Sequence, residues 1–424
     1  MRAQYVTAAA PALVGLALVG WCAAAQAGET VVPAGGTALA GAIAAAPAGA
    51  VLRLAPGVHA GPLVIDRPLT LIGDDGAIID GGGTGSVVRV EAPGVTLRGI
   101  ALRGSGIDLP ARDSAILLDK AASGAVIEGN RVTDSLIGVT VWGPRDVIVR
   151  DNVIRGRSDL RISEQGDGVS IWNAPGTRVE GNDIAHSRDG VRAVTGRDVA
   201  IVGNSFRDLR FAVHFMYTND SEVSRNRSTG NDLGYALMFS GKLDVRGNLS
   251  ENDRDHGIAL NYANDSVFVG NVVRNGGDKC VFIYNSNKNA FRDNLFEGCG
   301  IGVHFTAGSE GNIISGNGFI ANRVQVMYVS TRRVDWSHGG RGNYWSDNPA
   351  FDLDGDGIAD QPYRPNDIVD RVVWAVPLAK LLLNSPAVQV VRWAQAQFPA
   401  VSPGGVVDGA PLMRPPAPGE DSHG

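Results

Sequence analysis

The hydrophobic positions of this chain fall in pairs spaced two apart, and from about a third of the way along the pairs return at a nearly constant interval. They are Val139 and Val141, Val169 and Ile171, Val191 and Ala193, Val213 and Phe215, Tyr235 and Leu237, Ile258 and Leu260, Val281 and Ile283, Val303 and Phe305, and Val324 and Val326. A period of two puts both members of a pair on one face of a short strand. An asparagine beat runs alongside, at positions 130, 152, 182, 204, 226, 248, 271, 294 and 317, with intervals of 22, 30, 22, 22, 22, 23, 23 and 23. A beat of this length without helical periodicity predicts a solenoid of strands and turns. A β-propeller would need about 40 to 50 residues per blade. The expected fold is therefore all-β, a right-handed parallel β-helix with the apolar pairs inside and an asparagine ladder at one turn.

The asparagine-free runs Val51 to Leu54, Leu69 to Ile72, Ile78-Ile79, Val87 to Val90 and Val95 to Leu97 read as the first coils. This gives about 12 coils between Val51 and Trp336, a rod about 55 Å long at about 4.8 Å per strand. The expected divisions are a β-helix over 28–336, a polar cap over 337–376, short helices over 377–400 broken at Pro386, and a Pro-rich tail over 401–424. In the second helix Val388, Val391, Ala394 and Phe398 form an apolar stripe. Residues 1–27 have Arg2, an apolar stretch from Pro11 to Ala25 and then Ala25-Gln26-Ala27, the pattern of a secretory signal cleaved after Ala27. Cys22 lies inside that signal behind the bulky Trp21, which favours a soluble protein over a lipid-anchored one.

Composition supports a narrow rod. With 56 Gly and 21 Pro in 424 residues, long helices cannot dominate, and 6% aromatics within a 44% hydrophobic fraction mean an aliphatic core. All 25 asparagines lie at or after Asn130, where the regular ladder begins. The formal charge of −6, with acidic and basic residues mixed, offers no basic stripe, so nucleic acid is not an expected partner. Cys280 and Cys299 fall in adjacent coils, and the spacing leaves their pairing open.

Once the inward pairs are set, the intervening residues point outward. The first outward column reads His214, Ala236, Ala259, Phe282, His304, Gln325; the second reads Met216, Met238, Asn261, Tyr284, Thr306, Met327. His214 and Met216 then share a face about 6.6 Å apart, with Met238 about 4.8 Å from Met216 on the next coil. Imidazole and thioether donors suit Cu(I), and without a thiolate the ion stays exchangeable. Binding would weaken as an unperturbed imidazole protonates, near about pH 6.5. Outward Met and His residues on a long β-helix are also compatible with plain surface under a loop.

Two other groups compete for attention. Asp167 and Asp189 precede inward pairs on neighbouring coils, about 5 Å apart, with Arg192 nearby, and a carboxylate pair at that distance could serve glycosidic chemistry in a secreted polysaccharide lyase, hydrolase or epimerase. The run Asp352, Asp354, Asp356, Asp360 with Gly357 resembles the start of a Ca²⁺ loop, but Tyr363 stands where a bidentate Glu is needed. A weak Ca²⁺ site and a hydrogen-bonded cap fit that run equally well.

Several segments resemble the NosD family: Phe211-Ala212-Val213-His214-Phe215-Met216-Tyr217, Gly234-Tyr235-Ala236-Leu237-Met238-Phe239, Arg254-Asp255-His256-Gly257, Lys279-Cys280-Val281-Phe282-Ile283-Tyr284 and Gly342-Asn343-Tyr344-Trp345-Ser346-Asp347 with the Asp-rich loop after it. The resemblance runs from the signal to the C-terminal helices. It implies a periplasmic, non-enzymatic accessory protein for nitrous oxide reductase maturation in denitrification. Such a protein is the periplasmic component of an ABC transporter complex, held at the inner membrane through a membrane subunit (NosY) with its ATPase (NosF). It takes part in copper delivery to the reductase's copper–sulfur centre, receiving Cu(I) from a copper lipoprotein (NosL). Under this resemblance the stripe Val388, Val391, Ala394 and Phe398 would dock on the membrane partner, although a helix capping the rod's open end accounts for it equally well.

Overall fold

A computed structural model describes residues 29–306, 308–329, 332–366, 369, 372, 376–382, 385–397 and 405–417. The expected signal over 1–27 lies outside the described residues, as does Phe398. The chain winds into a parallel β-solenoid whose coils each contribute one strand to each of three sheets, of 13, 12 and 13 strands. The rod is slightly longer than the expected 12 coils because Thr30–Val32 pairs with Ala50–Leu54 at one end and Tyr344–Trp345 pairs with Gly318–Ile320 at the other.

The inward pairs pack where the period of two places them. Val213 and Phe215, Leu237 and Leu260, and Val281 and Ile283 are all fully buried. The small residue ahead of each pair answers to close packing between coils. A Cβ on Gly190 would meet the carbonyl oxygen of Ala212 and Cδ1 of Phe206 at 2.5 Å, and one on Gly257 would meet Cγ1 of Val273 at 2.3 Å. The last pair is a correction. Val303 and Phe305 pair with Val326 and Tyr328, so the inward residues there are Val326 and Tyr328, not Val324 and Val326. The 23-residue beat carries Val303 to Val326, and the expectation slipped by two residues. Met327 therefore sits beside His304 in the first outward column, not in the second column with Met216 and Met238.

The asparagine ladder is continuous. Asn248 Oδ1 accepts from the backbone N–H and the side-chain amide of Asn226, each at 3.0 Å, while its own Nδ2 donates to Val223 O at 2.7 Å and to Asn271 Oδ1 at 2.9 Å. The same pattern links every rung from Asn130 to Asn317 and extends to Asn343, a rung the sequence beat missed because it comes 26 residues after Asn317. All these asparagines are buried. The 30-residue interval between Asn152 and Asn182 holds a surface loop over 156–166 and leaves the ladder bonds intact, at 2.9 to 3.0 Å.

Both ends of the rod are closed. Helix α1, Ala38–Ala45, buries Leu39 and Ile43 on the first coil. At the far end Trp345 stacks on Phe319 at 4.4 Å, with Trp336 at 6.3 Å from Trp345. Within the stretch read as a tail, Val406–Val407 pairs with Val334–Asp335 and both valines are buried. Asp408 follows and ends the ladder, accepting from Asn343 N at 2.6 Å and Trp345 Nε1 at 2.7 Å. Burial pushes its carboxyl above the usual range, against these hydrogen bonds. A disulfide joins Cys280 to Cys299, with Cα atoms 5.6 Å apart.

Removing one rung strands the partners on both sides. Asn248→Ala leaves Asn226 N–H and Val223 O without their bonds and takes from the Asn226 amide one of its two acceptors, the other being Ile201 O, and at about 1 to 3 kcal/mol for each buried orphan the loss should be about 2 kcal/mol or more. The urea midpoint measures it, and an unchanged midpoint would show that the ladder is not a major source of stability.

Candidate metal site on the outer sheet face

The candidate residues project from the 12-stranded sheet, away from the core. Strand Phe211–Met216 carries His214 and Met216, and strand Leu233–Met238 carries Met238. In register, Met216 is opposite Met238 and His214 is opposite Ala236. The first outward column does not form open surface: His214 is 6% exposed, Ala236 is fully buried, and Leu233, Ala236 and Ala259 form a small apolar cluster outside the rod. Phe211, Met238 and Phe282 pack against that cluster. Met216 and Met238 are half-buried, so the thioethers border a dry patch.

The surroundings of His214 unite two groups that the sequence kept separate. Asp189, one coil earlier, places Oδ2 2.8 Å from His214 Nδ1. Arg210 holds both oxygens of the same carboxylate, at 2.8 and 2.7 Å. Asp189 is fully buried, and burial pushes its pKa up, but the hydrogen bonds of His214 and Arg210 outweigh this and hold it below the ordinary carboxylate value. An ionised Asp189 can only accept, so Nδ1 carries a proton, and in the neutral tautomer this fixes, the free lone pair is on Nε2. Nε2 is buried and has no hydrogen-bond partner among the described residues. The Phe211 ring meets the imidazole edge-on at 5.1 Å and limits its rotation. A carboxylate on one nitrogen with the other left free is the arrangement of a metal-ligating histidine.

The same bonds change the outlook for the carboxylate pair. Asp167 is 3% exposed, contacts Arg188 at 3.1 Å and has Arg192 at 3.9 Å. Burial and the charge of Asp189 raise its pKa, against both arginines. Both acids are thus closed in by guanidinium groups, whereas glycosidic chemistry needs a sugar between two accessible carboxyls.

In the cap, Asp352, Asp354 and Asp356 bring ligand atoms within 4.8 Å of one another. Asp352 accepts from Gly355 N at 2.7 Å and Gly357 N at 2.9 Å, and Asp360 turns to Leu353 N at 2.9 Å, apart from the other three. Tyr363, at the twelfth position, donates to Asp347 Oδ1 at 2.7 Å. The bond from Gly357, and then that from Gly355, holds the Asp352 carboxyl below its usual range. In helix α2, Pro386–Gln397, Val391 is 40% exposed and Val388 and Ala394 are half-buried.

Sequence reasoning missed an exposed aromatic ladder beside the methionines. Tyr217, Phe239 and Tyr262 stack at 5.1 and 5.3 Å along one edge of an open cleft, with Tyr284 edge-on at 6.1 Å. Their recurrence at 22 and 23 residues was the available signal. All three adopt positive φ, between 50° and 53°, a left-handed backbone that costs a bulky residue about 1 to 2 kcal/mol.

The family model described as "Periplasmic copper-binding protein (NosD)" matches residues 150–350. The chain is 46% identical over 377 residues to the "Probable ABC transporter binding protein NosD" of Pseudomonas aeruginosa, covering 86% of this chain and 88% of that one. It is 42% identical over 378 residues to the protein of the same description from Stutzerimonas stutzeri, covering 86% and 87%. Among solved structures, the Azotobacter vinelandii mannuronan C-5 epimerase AlgE6 A-module aligns with TM-score 0.55 at 16% identity, over 69% of this chain and 90% of that one. The Streptococcus pneumoniae surface adhesin PfbA aligns with TM-score 0.56 at 10% identity, over 68% and 86%. These two share the solenoid fold alone. With identity above two fifths over most of its length to both NosD proteins, the chain belongs to the NosD family.

Proposed function

We propose that this protein binds Cu(I) through His214, Met216 and Met238 and hands it on during assembly of the copper–sulfur centre of nitrous oxide reductase, as a non-enzymatic periplasmic component of an ABC transporter complex. The observation that carries the reading is the buried Nε2 of His214, without a partner among the described residues, with Asp189 on the other ring nitrogen and two thioethers on the same face. One imidazole and two thioethers make a soft donor set suited to Cu(I). Absence of a thiolate keeps the ion exchangeable, as cargo must be. The relatives' descriptions support the wider role, since they name copper binding and an ABC transporter. NosL as donor, the reductase as acceptor and NosY with NosF as the membrane assembly complete the reading.

Attachment to the membrane partner would use the C-terminal segment. No described helix is long and apolar enough to cross a membrane. Yet Val376, Leu378, Leu381, Leu382, Val390 and Val391 are all exposed there, between 40% and 85%. A set of apolar side chains this dense marks an interaction surface. The Asp-rich loop would act as a cap that Ca²⁺ can tighten.

Competitive Cu(I) titration with a chromophoric chelator tests the site. Met216→Leu with Met238→Leu preserves bulk and removes sulfur, so Cu(I) affinity should drop by about a hundredfold or more; stoichiometric binding that survives the double change sinks the proposed ligands. Asp189→Asn takes the charged acceptor from His214 Nδ1, and from Arg210 with it, and should weaken Cu(I) by about 10- to 100-fold without unfolding the rod. For attachment, Leu381→Asp with Val391→Asp should abolish co-purification with the membrane subunit while Cu(I) binding persists, and undiminished co-purification would place the contact elsewhere.

A further inference from the structure

The aromatic ladder stands where the backbone does not favour it. At the turn that follows the 12-stranded sheet the chain is left-handed in every coil from Gly143 to Asn285, with φ between 46° and 87°. Gly143, Asn173 and Asn285 accept such a backbone at little cost, whereas Tyr217, Phe239 and Tyr262 are bulky and do not. Two ring contacts among three side chains compensate for three strained backbones only in part. The rings also stay open, Tyr217 at 52%, Phe239 at 38% and Tyr262 at 45% exposure. They are parallel within 19° and 8°, an offset stack in which each ring keeps an edge and part of a face toward solvent. Together they form one wall of a cleft of about 490 Å³ that crosses three coils. Asn219 and Asn264 belong to the opposite wall, where Asn219 Oδ1 accepts from Gly241 N and Asn264 Oδ1 from Asn287 N, both at 2.8 Å, so the two amides are fixed. Charge in the cleft cancels: Arg197 and Lys242 stand against Asp220 and Asp265, and Asp220 is bonded to Arg197 with Lys242 at 3.8 Å.

We propose that this cleft binds an uncharged β-1,4-linked glycan laid along the rod. The ladder steps by 5.1 and 5.3 Å, and an extended β-1,4-linked pyranose chain advances by nearly the same step per ring, so successive sugars meet successive aromatics. The apolar C–H face of each sugar packs on a ring, while its hydroxyls reach the fixed amides and charged groups opposite. Balanced charge disfavours a polyuronate or a phosphate-rich chain, either of which needs an excess of cations. An extended peptide fits less well. Tyr217 N already donates to Met238 O at 3.2 Å and Phe239 N to Asn261 O at 2.8 Å, so the backbone of this turn is not free to pair with a peptide strand. With Asp220 engaged by cations, the cleft lacks the two free carboxyls that glycosidic cleavage uses, and the site is one of binding. Tyr217 and Phe239 directly follow Met216 and Met238 in the chain, but the cleft and the Cu(I) group share no residue, so the proposal does not rest on the Cu(I) reading.

The mature full-length protein is titrated by calorimetry with cellohexaose and chitohexaose, with maltohexaose and a β-1,4-linked mannuronate hexamer as controls. Each uncharged β-1,4 hexamer should bind about tenfold or more tighter than either control, because the α-linkages of maltohexaose curl the chain off the ladder and the mannuronate carboxylates find no surplus cation. Phe239→Asn with Tyr262→Asn installs the residue type that Asn173 and Asn285 supply at the same turn. This change should keep or raise the urea midpoint while weakening glycan binding by about tenfold or more. A ladder that serves stability alone gives the reverse, a lower midpoint and no effect on glycan. Met216→Leu with Met238→Leu should leave glycan affinity unchanged, which separates this cleft from the Cu(I) group. Absence of binding to both β-1,4 hexamers, equal affinity for maltohexaose, or affinity unaltered in the asparagine variant overturns the proposal. Loss of a protein partner from that variant, with no glycan bound by the parent chain, would assign the ladder to protein docking instead.

Discussion

The buried asparagine ladder is the constraint on which the rest of the rod depends. Each asparagine has one acceptor and one amide donor group, and the stack uses both, bonding backwards to a carbonyl and forwards to the next rung. A turn whose backbone groups are buried has no water to bond, so something must satisfy them at every coil. One side chain repeated at one point does this only if each coil returns to the same place. That requirement fixes the 22- to 23-residue interval and sends extra residues, such as those over 156–166, out into loops. Asp408 brings the ladder to an end, because a carboxylate accepts the last N–H groups without needing a further rung.

Fixed register makes outward columns, and columns make sites. Side chains one coil apart are held near strand spacing whatever their chemistry. Methionines at the same point of consecutive coils must therefore be neighbours, and an aspartate one coil before a histidine comes within hydrogen-bond reach of it. The site needs no deep pocket, since the apolar cluster of Leu233, Ala236 and Ala259 keeps water from one side of the donors. The aromatic ladder of Tyr217, Phe239 and Tyr262 obeys the same rule one residue further along, at a turn where the backbone is left-handed.

The solenoid is shared with a mannuronan C-5 epimerase module and with an adhesin, so the fold alone does not choose a function. Side chains on one face make the difference. Asp167 and Asp189 stand at a separation that could suit sugar chemistry, but the arginines 188, 192 and 210 enclose them, and His214 takes up the remaining reach of Asp189. The same carboxylate that might have been a nucleophile is instead the support of an imidazole.

The sequence by itself determined the solenoid, the inward pairs and the adjacency of Met216 and Met238. Those features repeat, and a repeat states in one dimension which residues will stack in three. It faltered where repetition stops or slips. The two-residue error at Val324 misplaced Met327, and the change to a 26-residue interval concealed Asn343 as a rung. Asp408, 65 residues beyond Asn343, could not be read as the ladder's end, because the segment that carries it folds back out of the period. Only the tertiary structure decided that Asp189 and His214 belong together and that Nε2 of His214 has no partner among the described residues. Which nitrogen a neighbour occupies depends on side-chain direction and burial across coils, and these are set by packing and not by spacing along the chain.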